Sequence, residues 1–584
     1  MSTRFLSAAL LFAAALHGQG RIEATTFTRD FGTPGEPGSM RIRFDRHGAS
    51  VHWIELLDHA SEATNRPVDG KVPVDPYKVA GEVELVRDGN PPVLGWRMLV
   101  LREERAGAAF GGVRIHEDLW DAEVLADGSV KFSILASQGL RLGKTFRKQP
   151  LRRDLEIDLT MESLADRPGP DGAEQRLLLT GLALSNPRAD HVLGNPAVAI
   201  AVTVDADGTR VPTVVHVGGS PLPGGKADLV APPSGTAIDF AGVTNRFFGA
   251  FLYAADADSR DAQRLVDFEL WPEARPYGDV GLHSVPVLRH HLQWTVPKHG
   301  ETRTIALRQY IGPKTPRVFD EHPQDYGRFE AIMDSDLTPA CFCDLPGARP
   351  MARLLLWLLR GLHDIVGSWG FAIVLLTLLV RGALVPINFR MQKSMRAFGV
   401  KMGQLKPQLD AINAKYANDP KAKQQAMMEF QRQHKIFPPL GGCLPMFITI
   451  PVFLGLFSAL RVAYELRHQP FLGWVTDLSR PDQLFELGWT WLPYFNVLPI
   501  VMVVLWLWLQ AGTPLPTDPQ QRSIMKMMRW MPLMIGVMLY NYASGLMVYM
   551  ITSSLFGLVE QRVVKRILGP MPETGTAMPM APQF

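Results

Sequence analysis

The chain has 584 residues, with 60 Lys and Arg against 57 Asp and Glu, and this near balance argues against a dedicated nucleic-acid-binding protein. Hydrophobic residues make up 47% of the chain and are unevenly spread. Up to about Pro350 the sequence is typical of a soluble β protein, whereas beyond it lie uncharged stretches long enough to cross a bilayer, so a disordered, collagen-like or purely soluble protein is excluded.

The first twenty residues, MSTRFLSAALLFAAALHGQG, contain one Arg, then an apolar run and then small residues. This order is typical of a secretory signal, and the apolar run is short for a membrane span. Residues 1–24 are therefore predicted to be a signal peptide or an uncleaved signal-anchor helix. Both alternatives export the segment that follows.

Residues 25–340 contain short runs of alternating apolar and polar residues between clusters of Gly, Pro, Asn and Asp. These runs include 50–57, 82–87, 97–103, 130–136, 155–161, 198–204, 247–253 and 288–296. A period of two with frequent turn signals predicts antiparallel strands packed as a periplasmic all-β sandwich. The pair His290–His291 has no diagnostic spacing, so a scaffold or docking role is favoured over sugar chemistry for this domain.

Chemistry-bearing motifs are scarce. The three cysteines, Cys341, Cys343 and Cys443, are too few for a disulfide framework, and no His or Cys partner lies at metal-ligand spacing. The sequence also lacks the phosphate-binding pattern GxxxxGK[ST]. We therefore expect no catalytic residues, no metal and no cofactor, and we predict that the protein is not an enzyme.

The last uncharged stretch, residues 530–559, decides the predicted topology. As one straight helix of 30 residues it would run about 45 Å, longer than a hydrocarbon layer of about 30 Å. Basic residues flank it on both sides, and the positive-inside rule places both flanks in the cytoplasm. We therefore predict a hairpin of two short spans with its turn at Asn541–Gly545.

The same charge rule assigns the remaining segments of a polytopic α-helical membrane protein with five core spans. The predicted segments are an interfacial amphipathic helix at 346–366, spans at 367–389, 440–464, 487–510, 529–542 and 545–566, a cytoplasmic helical hairpin at 390–439, a periplasmic loop at 465–486, a cytoplasmic loop at 511–528 and a cytoplasmic tail at 567–584. Four tryptophans near the ends of the span at 487–510 are predicted interfacial anchors: Trp489, Trp491, Trp506 and Trp508.

The predicted hairpin is strongly basic, with ten Lys and Arg against three acids between Phe389 and Pro439. Apolar residues recur at spacings of four and three from Met391 to Tyr416, a sustained heptad stripe, and Asn418–Pro420 ends the helix. Two interpretations remain open: a stiff linker, or an arm that docks a ribosome, a targeting factor or an acidic chain. The candidate docking residues are Lys393, Arg396, Lys401, Lys406 and Lys415.

Arg381 lies within the first span, roughly 10 Å from its cytoplasmic end. A lone charge at that depth costs several kcal/mol unless its side chain reaches the interface. One interpretation is such snorkelling, and the other is a water-filled cavity that Arg381 lines together with Thr377, one helical turn away. Since the uncharged spans offer no carboxylate for an ion relay, a polytopic transporter is the less favoured alternative function.

Six blocks of the C-terminal half, taken in order, closely resemble the YidC membrane protein insertases of the YidC/Oxa/Alb family. They are FAIVLLTLLVRGALVP (371–386), LKPQLDAINAKY (405–416), PLGGCLPMFITIPVFLGLF (439–457), PFLGWVTDLSRPD (470–482), TDPQQRSIMKMM (517–528) and SGLMVYMITSSLFGLVEQ (544–561). These blocks cover nearly all of residues 350–568. The domain at 25–340 resembles, in size and texture, the periplasmic sandwich of Gram-negative members.

The resemblance implies five core helices around a positively charged groove that is open to the cytoplasm and to lipid. It implies an inner-membrane protein that integrates and helps fold other membrane proteins, alone or with the Sec translocon, with its large domain in the periplasm and its C-terminus in the cytoplasm. The implied partners are nascent membrane proteins, the Sec translocon, a ribosome or targeting factor, and membrane lipid, without direct nucleic-acid binding. The implied groove residues are Arg381, Thr377, Phe453, Tyr549 and Met550.

The sequence departs from the family pattern in two places. Many relatives have two adjacent tyrosines where this chain has Tyr549–Met550, so one client contact becomes apolar. The tail at 567–584 is short and not basic, which argues against a ribosome contact through the tail.

Overall fold

A computed structural model describes most of the chain and divides it into two compact units, residues 1–336 and 337–584. The described residues are 20–60, 76–81, 98–99, 101–103, 113–136, 139–164, 174–182, 184, 198–205, 207–215, 228–230, 236–255, 265–276, 282–336, 348–416, 420–433, 440–487, 489, 492, 494–511, 527 and 529–569. Most of the predicted signal at 1–24, most of the cytoplasmic loop at 511–528, nearly all of the tail at 567–584, Cys341, Cys343 and Trp491 lie outside the described residues.

The first unit consists mainly of β-strands. The strands are β1 Gly20–Ile22, β2 Thr26–Phe31, β3 Met40–Asp45, β4 Ser50–Ala60, β5 Pro76–Gly81, β6 Leu101–Glu103, β7 Asp121–Val124, β8 Val130–Leu135, β9 Leu140–Arg147, β10 Asp154–Ser163, β11 Glu174–Thr180, β12 Val198–Val204, β13 Arg210–Val215, β14 Asp228–Val230, β15 Ala237–Thr244, β16 Phe248–Ala254, β17 Leu265–Pro276, β18 Leu282–Thr295 and β19 Thr302–Pro313. They form a β-sandwich domain, and the alternating burial along β10 shows the period of two that the sequence displays.

Ten strands form the largest sheet, in the order β1-β7-β8-β9-β10-β19-β16-β15-β12-β13. A five-stranded sheet, β14-β17-β18-β11-β6, and a four-stranded sheet, β2-β3-β4-β5, accompany it. Neighbouring strands run antiparallel in the pairings that the structure describes; the register of β10 and β19, for example, pairs Ile157 with Leu307. Strands β12 and β15 of the large sheet contact β17 and β18 of the five-stranded sheet, which defines the sandwich.

Aromatic side chains fill the two ends of this core. Phe27 and Phe44 of the four-stranded sheet pack on Phe132 and Phe146 of the large sheet, with ring centroids 5.1–6.0 Å apart. At the other end lie three short helices, α1 Pro316–Phe319, α2 Pro323–Tyr326 and α3 Glu330–Asp336. Phe329, in the 3-10 turn Gly327–Phe329 between α2 and α3, has its ring centroid 4.9 Å from that of Tyr310, so this helical segment packs on the core.

The second unit is helical. Its helices are α4 Ala348–Val366, α5 Trp369–Lys415, α6 Pro420–Gln433, α7 Leu440–Val462, α8 Leu498–Ala511, α9 Met531–Met538 and α10 Ser544–Leu568. α4 packs on α5 and α7, and α10 packs on α5 and α8. Buried Leu, Ile, Ala and Met side chains of these helices form one apolar core.

Helix α5 is continuous over 47 residues, so the predicted span at 367–389 and the first arm of the predicted hairpin are one helix. The stretch from Trp369 to Ser394 is the one part of the described chain that is both long enough and apolar enough to cross a bilayer as a single helix. α5 ends at Lys415 and α6 starts at Pro420, in contact with α5. The chain therefore turns back near the predicted Asn418–Pro420 break.

The predicted span at 487–510 is helical only from Leu498 onward. Two short strands, β20 Phe485–Glu486 and β21 Tyr494–Phe495, pair with each other before it. The carboxylate of Asp482 accepts the backbone N–H groups of Val497 and Leu498 at 2.7 and 3.2 Å, which fixes this later helix start. Apolarity alone therefore predicts a helix that begins eleven residues too early.

The predicted hairpin at 529–566 is resolved as two helices. α9 covers 531–538, α10 starts at Ser544, and the intervening residues 539–543 form the turn. Asn496, fully buried, donates to the carbonyl of Tyr540 at 3.0 Å and so holds this turn against the start of α8. The connection from 463 to 497, called here the outer loop, thus contributes the polar contacts at the turn end of the helices.

The outer loop also covers the beginnings of α5 and α10. The backbone N–H of Gly545 donates to the carbonyl of Leu478 at 2.8 Å, and Ser544 donates to the carbonyl of Asp477. Phe471 lies so close to Gly370 that a Cβ atom on that glycine would come within 1.9 Å of the ring. This packing closes one end of the helical unit.

Candidate functional site: a basic cavity among four helices

A cavity of about 260 Å³ lies among α5, α7, α8 and α10. Its lining residues are Thr377, Val380, Arg381, Leu384, Val452, Phe453, Trp506, Tyr549, Met550, Ser553 and Ser554. The set combines one cation, hydroxyl groups and aromatic or aliphatic side chains. All five residues that the sequence proposed for the groove lie in this one cavity.

Arg381 provides the positive charge of the cavity. Its Nε donates to the hydroxyl of Ser553 at 2.8 Å, and one of its terminal nitrogens donates to the same oxygen. In the part of the chain that the structure describes, no carboxylate lies within ion-pair distance of Arg381. A guanidinium has five N–H donors, so three remain for another acceptor.

The hydroxyl partner of Arg381 bears on its two interpretations. The side chain is half-buried and turns toward α10, where Ser553 lies, and toward the cavity. A snorkelling arginine would instead extend along its helix to the interface. The structure therefore places Arg381 as a cavity-lining residue.

Thr377 lies one turn before Arg381 on α5 and is fully buried. Its hydroxyl donates to the carbonyl of Ile373 at 2.7 Å, within its own helix. This back-bonding satisfies the donor while the oxygen keeps a lone pair for another partner. Thr377 and Arg381 together form a polar stripe along one face of an otherwise apolar helix.

The cavity also has an aromatic and apolar lining. Phe453 of α7 and Tyr549 of α10 lie with ring centroids 6.3 Å apart, and Met550 of α10 is buried. Methionine is flexible and polarizable, so it adapts to side chains of differing shape. The cavity therefore combines groups suited to polar partners with groups suited to apolar segments.

Six lining residues were not proposed from the sequence, and three of them carry polar groups: Trp506, Ser553 and Ser554. Trp506 was predicted to be an interfacial anchor, but its indole N–H donates to the hydroxyl of Ser554 at 2.9 Å, so that prediction is wrong for this residue. Ser554 in turn donates to the carbonyl of Met550 at 2.6 Å. The adjacent serines in an otherwise apolar stretch of α10 are only a weak sequence signal, because serines are common in helices.

The docking residues proposed for the hairpin are only partly described. Lys393 and Lys415 are exposed, and the ammonium group of Lys415 lies 5.4 Å from the ring of Tyr416. Arg396, Lys401 and Lys406 lie on α5, but their side chains are outside the described residues. The docking role of this group stays a prediction.

Metal chemistry finds no support in the described residues, since no group of three His, Cys, Asp or Glu side chains there could hold an ion.

The cavity and the two units together define a helical membrane protein that also carries a β-sandwich domain. The family model described as 60Kd inner membrane protein matches residues 361–570, which include all four helices that line the cavity.

Known proteins make the assignment more specific. A protein of Neisseria meningitidis serogroup C named Membrane protein insertase YidC is 43% identical over 275 residues, 46% of this chain and 44% of that protein. A protein of Ralstonia nicotianae with the same name is 29% identical over 82% of this chain and 78% of its own length. The C-terminal half of this chain is therefore similar to proteins named Membrane protein insertase YidC, and the chain spans less than half the length of the Neisseria relative.

One solved structure, entitled active YidC insertase with its first transmembrane domain resolved, aligns over 96% of this chain and 99% of its own. The sequence identity is 16% and the TM-score is 0.31. At this score the likeness does not define the fold.

Proposed function

We propose that the protein is a membrane protein insertase, which moves hydrophobic segments of client proteins from water into the lipid of a bacterial inner membrane. The observation that carries the proposal is the cavity, whose lining combines Arg381 and hydroxyl groups with the aromatic rings of Phe453 and Tyr549. The similarity to proteins named Membrane protein insertase YidC supports it. No covalent chemistry is required of the protein.

The cavity lowers the main energetic barrier to insertion. Each polar group of a client costs roughly 2–7 kcal/mol to move into hydrocarbon without a hydrogen-bond partner. Arg381, Thr377 and Ser553 offer such partners within the helical unit. A polar or acidic flank of the client rests there while its apolar part passes along α7 and α10 into lipid, driven by the hydrophobic effect.

The proposed topology follows the charge distribution. Five spans place the outer loop and the β-sandwich domain in the periplasm, and the basic hairpin and the C-terminus in the cytoplasm. A client therefore arrives past the hairpin formed by α5 and α6, where a ribosome or targeting factor docks. The Sec translocon is proposed as a partner for clients with several spans.

The cavity also distinguishes this proposal from an ion-coupled transporter. Such transporters use carboxylates near the middle of the bilayer as relays. Among the residues that line the cavity there is no Asp or Glu. The positive charge instead favours transient binding of an anionic group.

Protease protection tests the proposal directly. The purified protein is reconstituted in liposomes, and a short single-span client with an acidic translocated flank is synthesised without a translocon. We expect its translocated end to be protected, and we expect Arg381→Ala to reduce that protection several-fold. Arg390→Ala is the matched control, because Arg390 is an exposed arginine on the same helix and outside the cavity.

A second client with a neutral flank separates the role of charge from that of folding. Its insertion should depend less on Arg381, since no carboxylate is available to pair with the guanidinium. If Arg381→Ala inserts every client as the unmodified protein does, Arg381 has no role in insertion. Protection no greater than in empty liposomes would contradict a self-sufficient insertase and favour a chaperone that acts on clients inserted by others.

A further inference from the structure

The C-terminal turns of α10 carry exposed cations without described carboxylate partners. Arg562, Lys565 and Arg566 are exposed, and no ion pair of theirs occurs among the described residues. The guanidinium of Arg562 lies 5.4 Å from the centre of the Trp508 ring of α8, which is itself 53% exposed. The long side chain of Arg562 thus points back along α10 toward the apolar part of the bundle, as helical geometry favours.

An exposed apolar stripe leads to these cations along the same face of α10. Its residues, Leu555, Val559 and Val563, are spaced by four and are about half exposed. With 3.6 residues per turn, Arg562 and Arg566 project from the helix axis within about 40° of the mean direction of Leu555 and Val559. Lys565 projects about 80° or more away from that mean direction. Apolar side chains and cations therefore lie next to each other along one face of α10.

The stacked geometry of Arg562 leaves its hydrogen-bonding edge available. An indole face stabilises a guanidinium through its π-system and takes none of its in-plane N–H donors. No hydrogen bond from Arg562 to the described part of the chain uses those donors. A phosphate group suits such a donor set, because it accepts two parallel N–H bonds.

We propose that Arg562, Arg566 and Trp508 form a binding site for the phosphate headgroup of an anionic phospholipid, whose acyl chain lies along Leu555 and Val559. The continuity of the apolar stripe with the cations commits the site to a lipid. An RNA or acidic protein would match the cations but would leave Leu555 and Val559 without a partner. By the positive-inside rule the lipid belongs to the cytoplasmic leaflet. The inference does not rest on insertase activity.

Lipid retention measured on the full-length protein tests this site. The protein is purified in detergent with a mixture of phosphatidylglycerol and phosphatidylcholine, and bound lipid is counted by native mass spectrometry. The unmodified protein should retain phosphatidylglycerol in preference to phosphatidylcholine. Arg562→Gln should weaken phosphatidylglycerol binding about fivefold, the effect expected for one cation near an anionic headgroup, and Arg562→Gln/Arg566→Gln should abolish the preference.

Two further variants keep the test decisive. Arg432→Gln removes the same charge from an exposed position at the end of α6 and should leave lipid retention unchanged. Trp508→Leu keeps the site apolar, removes the stacking platform and should lower retention of phosphatidylglycerol without affecting that of phosphatidylcholine.

Equal retention of both lipids by the unmodified protein would overturn the proposal. So would undiminished phosphatidylglycerol binding by the doubly substituted protein when its helical content by circular dichroism is normal. If the double substitution instead weakens binding of a structured ribosomal RNA fragment and leaves lipid retention intact, the surface serves a nucleic acid and the lipid assignment is wrong.

Discussion

Because of Lys144, we expect the free energy of unfolding of the β-sandwich unit to change with pH in the alkaline range. Its side chain is fully buried on β9, and its ammonium group donates to the backbone carbonyls of Ala49 and Leu99. The ring centre of Trp120 lies 6.0 Å away, and no carboxylate among the described residues pairs with the ammonium group. Burial without a counter-charge lowers the pKa of Lys144 to about 7.

The sign and size of the effect follow from this shift. Between pH 7 and 10.5 the unfolded chain holds a proton on Lys144 that the folded unit has largely released. The free energy of unfolding therefore rises with pH in this range, by at most about 1.4 kcal/mol per pH unit. From pH 7.5 to 9 the expected gain is about 2 kcal/mol, and the contribution of Lys144 becomes constant about one pH unit below its folded-state pKa.

Lys144→Met keeps the length of the side chain and removes the titrating group. Pulse proteolysis in urea of the full-length protein in detergent, repeated from pH 6 to 9.5, measures the stability of the sandwich through the surviving domain. Lys148, whose pKa burial lowers to about 8, adds a slope of the same sign in both proteins. The difference between the two proteins therefore isolates Lys144. Parallel stability curves across pH 7.5–9 would refute the lowered pKa of Lys144, because a lysine that keeps its proton in the folded state adds no slope.

Two further predictions concern the outer loop. Gly370→Ala should destabilise the helical unit by several kcal/mol, since its Cβ would overlap the ring of Phe471. Gly361→Ala is the control and should be neutral or slightly stabilising, because no atom lies within 4 Å of the added Cβ. Thermal unfolding in detergent compares the two variants. Asp482→Ala should cost about 1–2 kcal/mol, because the two N-terminal amides of α8 and the indole N–H of Trp474 lose their acceptor. Amide hydrogen exchange should then increase at the start of α8, and unchanged exchange there would contradict the capping role.

The strands were well predicted because alternation is a local property of the sequence. The run at 198–204 coincides with β12, and the run at 130–136 differs from β8 by one residue. The run at 82–87 lies outside the described residues. The strand order of the three sheets was not predictable, since pairings such as that of β10 with β19 join segments about 150 residues apart.

The helices of the second unit were less predictable in extent than in position. Hydropathy locates an apolar stretch but does not identify the residue at which a helix starts. That residue depends on distant partners, as the contact of Asp482 with the start of α8 shows. The turn predicted at Asn541–Gly545 overlaps the observed turn at 539–543 but includes the first two residues of α10.

The candidate site was partly predictable for a related reason. Arg381 is conspicuous because a charge in an apolar stretch is rare, whereas serines in a helix are common and carry little signal. Only the packing of α5 against α10 reveals that Ser553 faces Arg381. Trp506 was misassigned because an indole near the end of an apolar stretch looks the same whether it faces lipid or a cavity.

The choice of a hydroxyl as the partner of Arg381 suits a site that must bind and release. A carboxylate partner would cancel the positive charge and hold the guanidinium firmly. A hydrogen bond from a charged group to a neutral acceptor contributes only about 1.5–3 kcal/mol, whereas an anionic group about 4 Å from the guanidinium gains about 4 kcal/mol at an effective dielectric of about 20. Under the proposed function, exchange of Ser553 for a client carboxylate is therefore favourable by a small margin, and the client would leave again as its apolar segment enters the lipid.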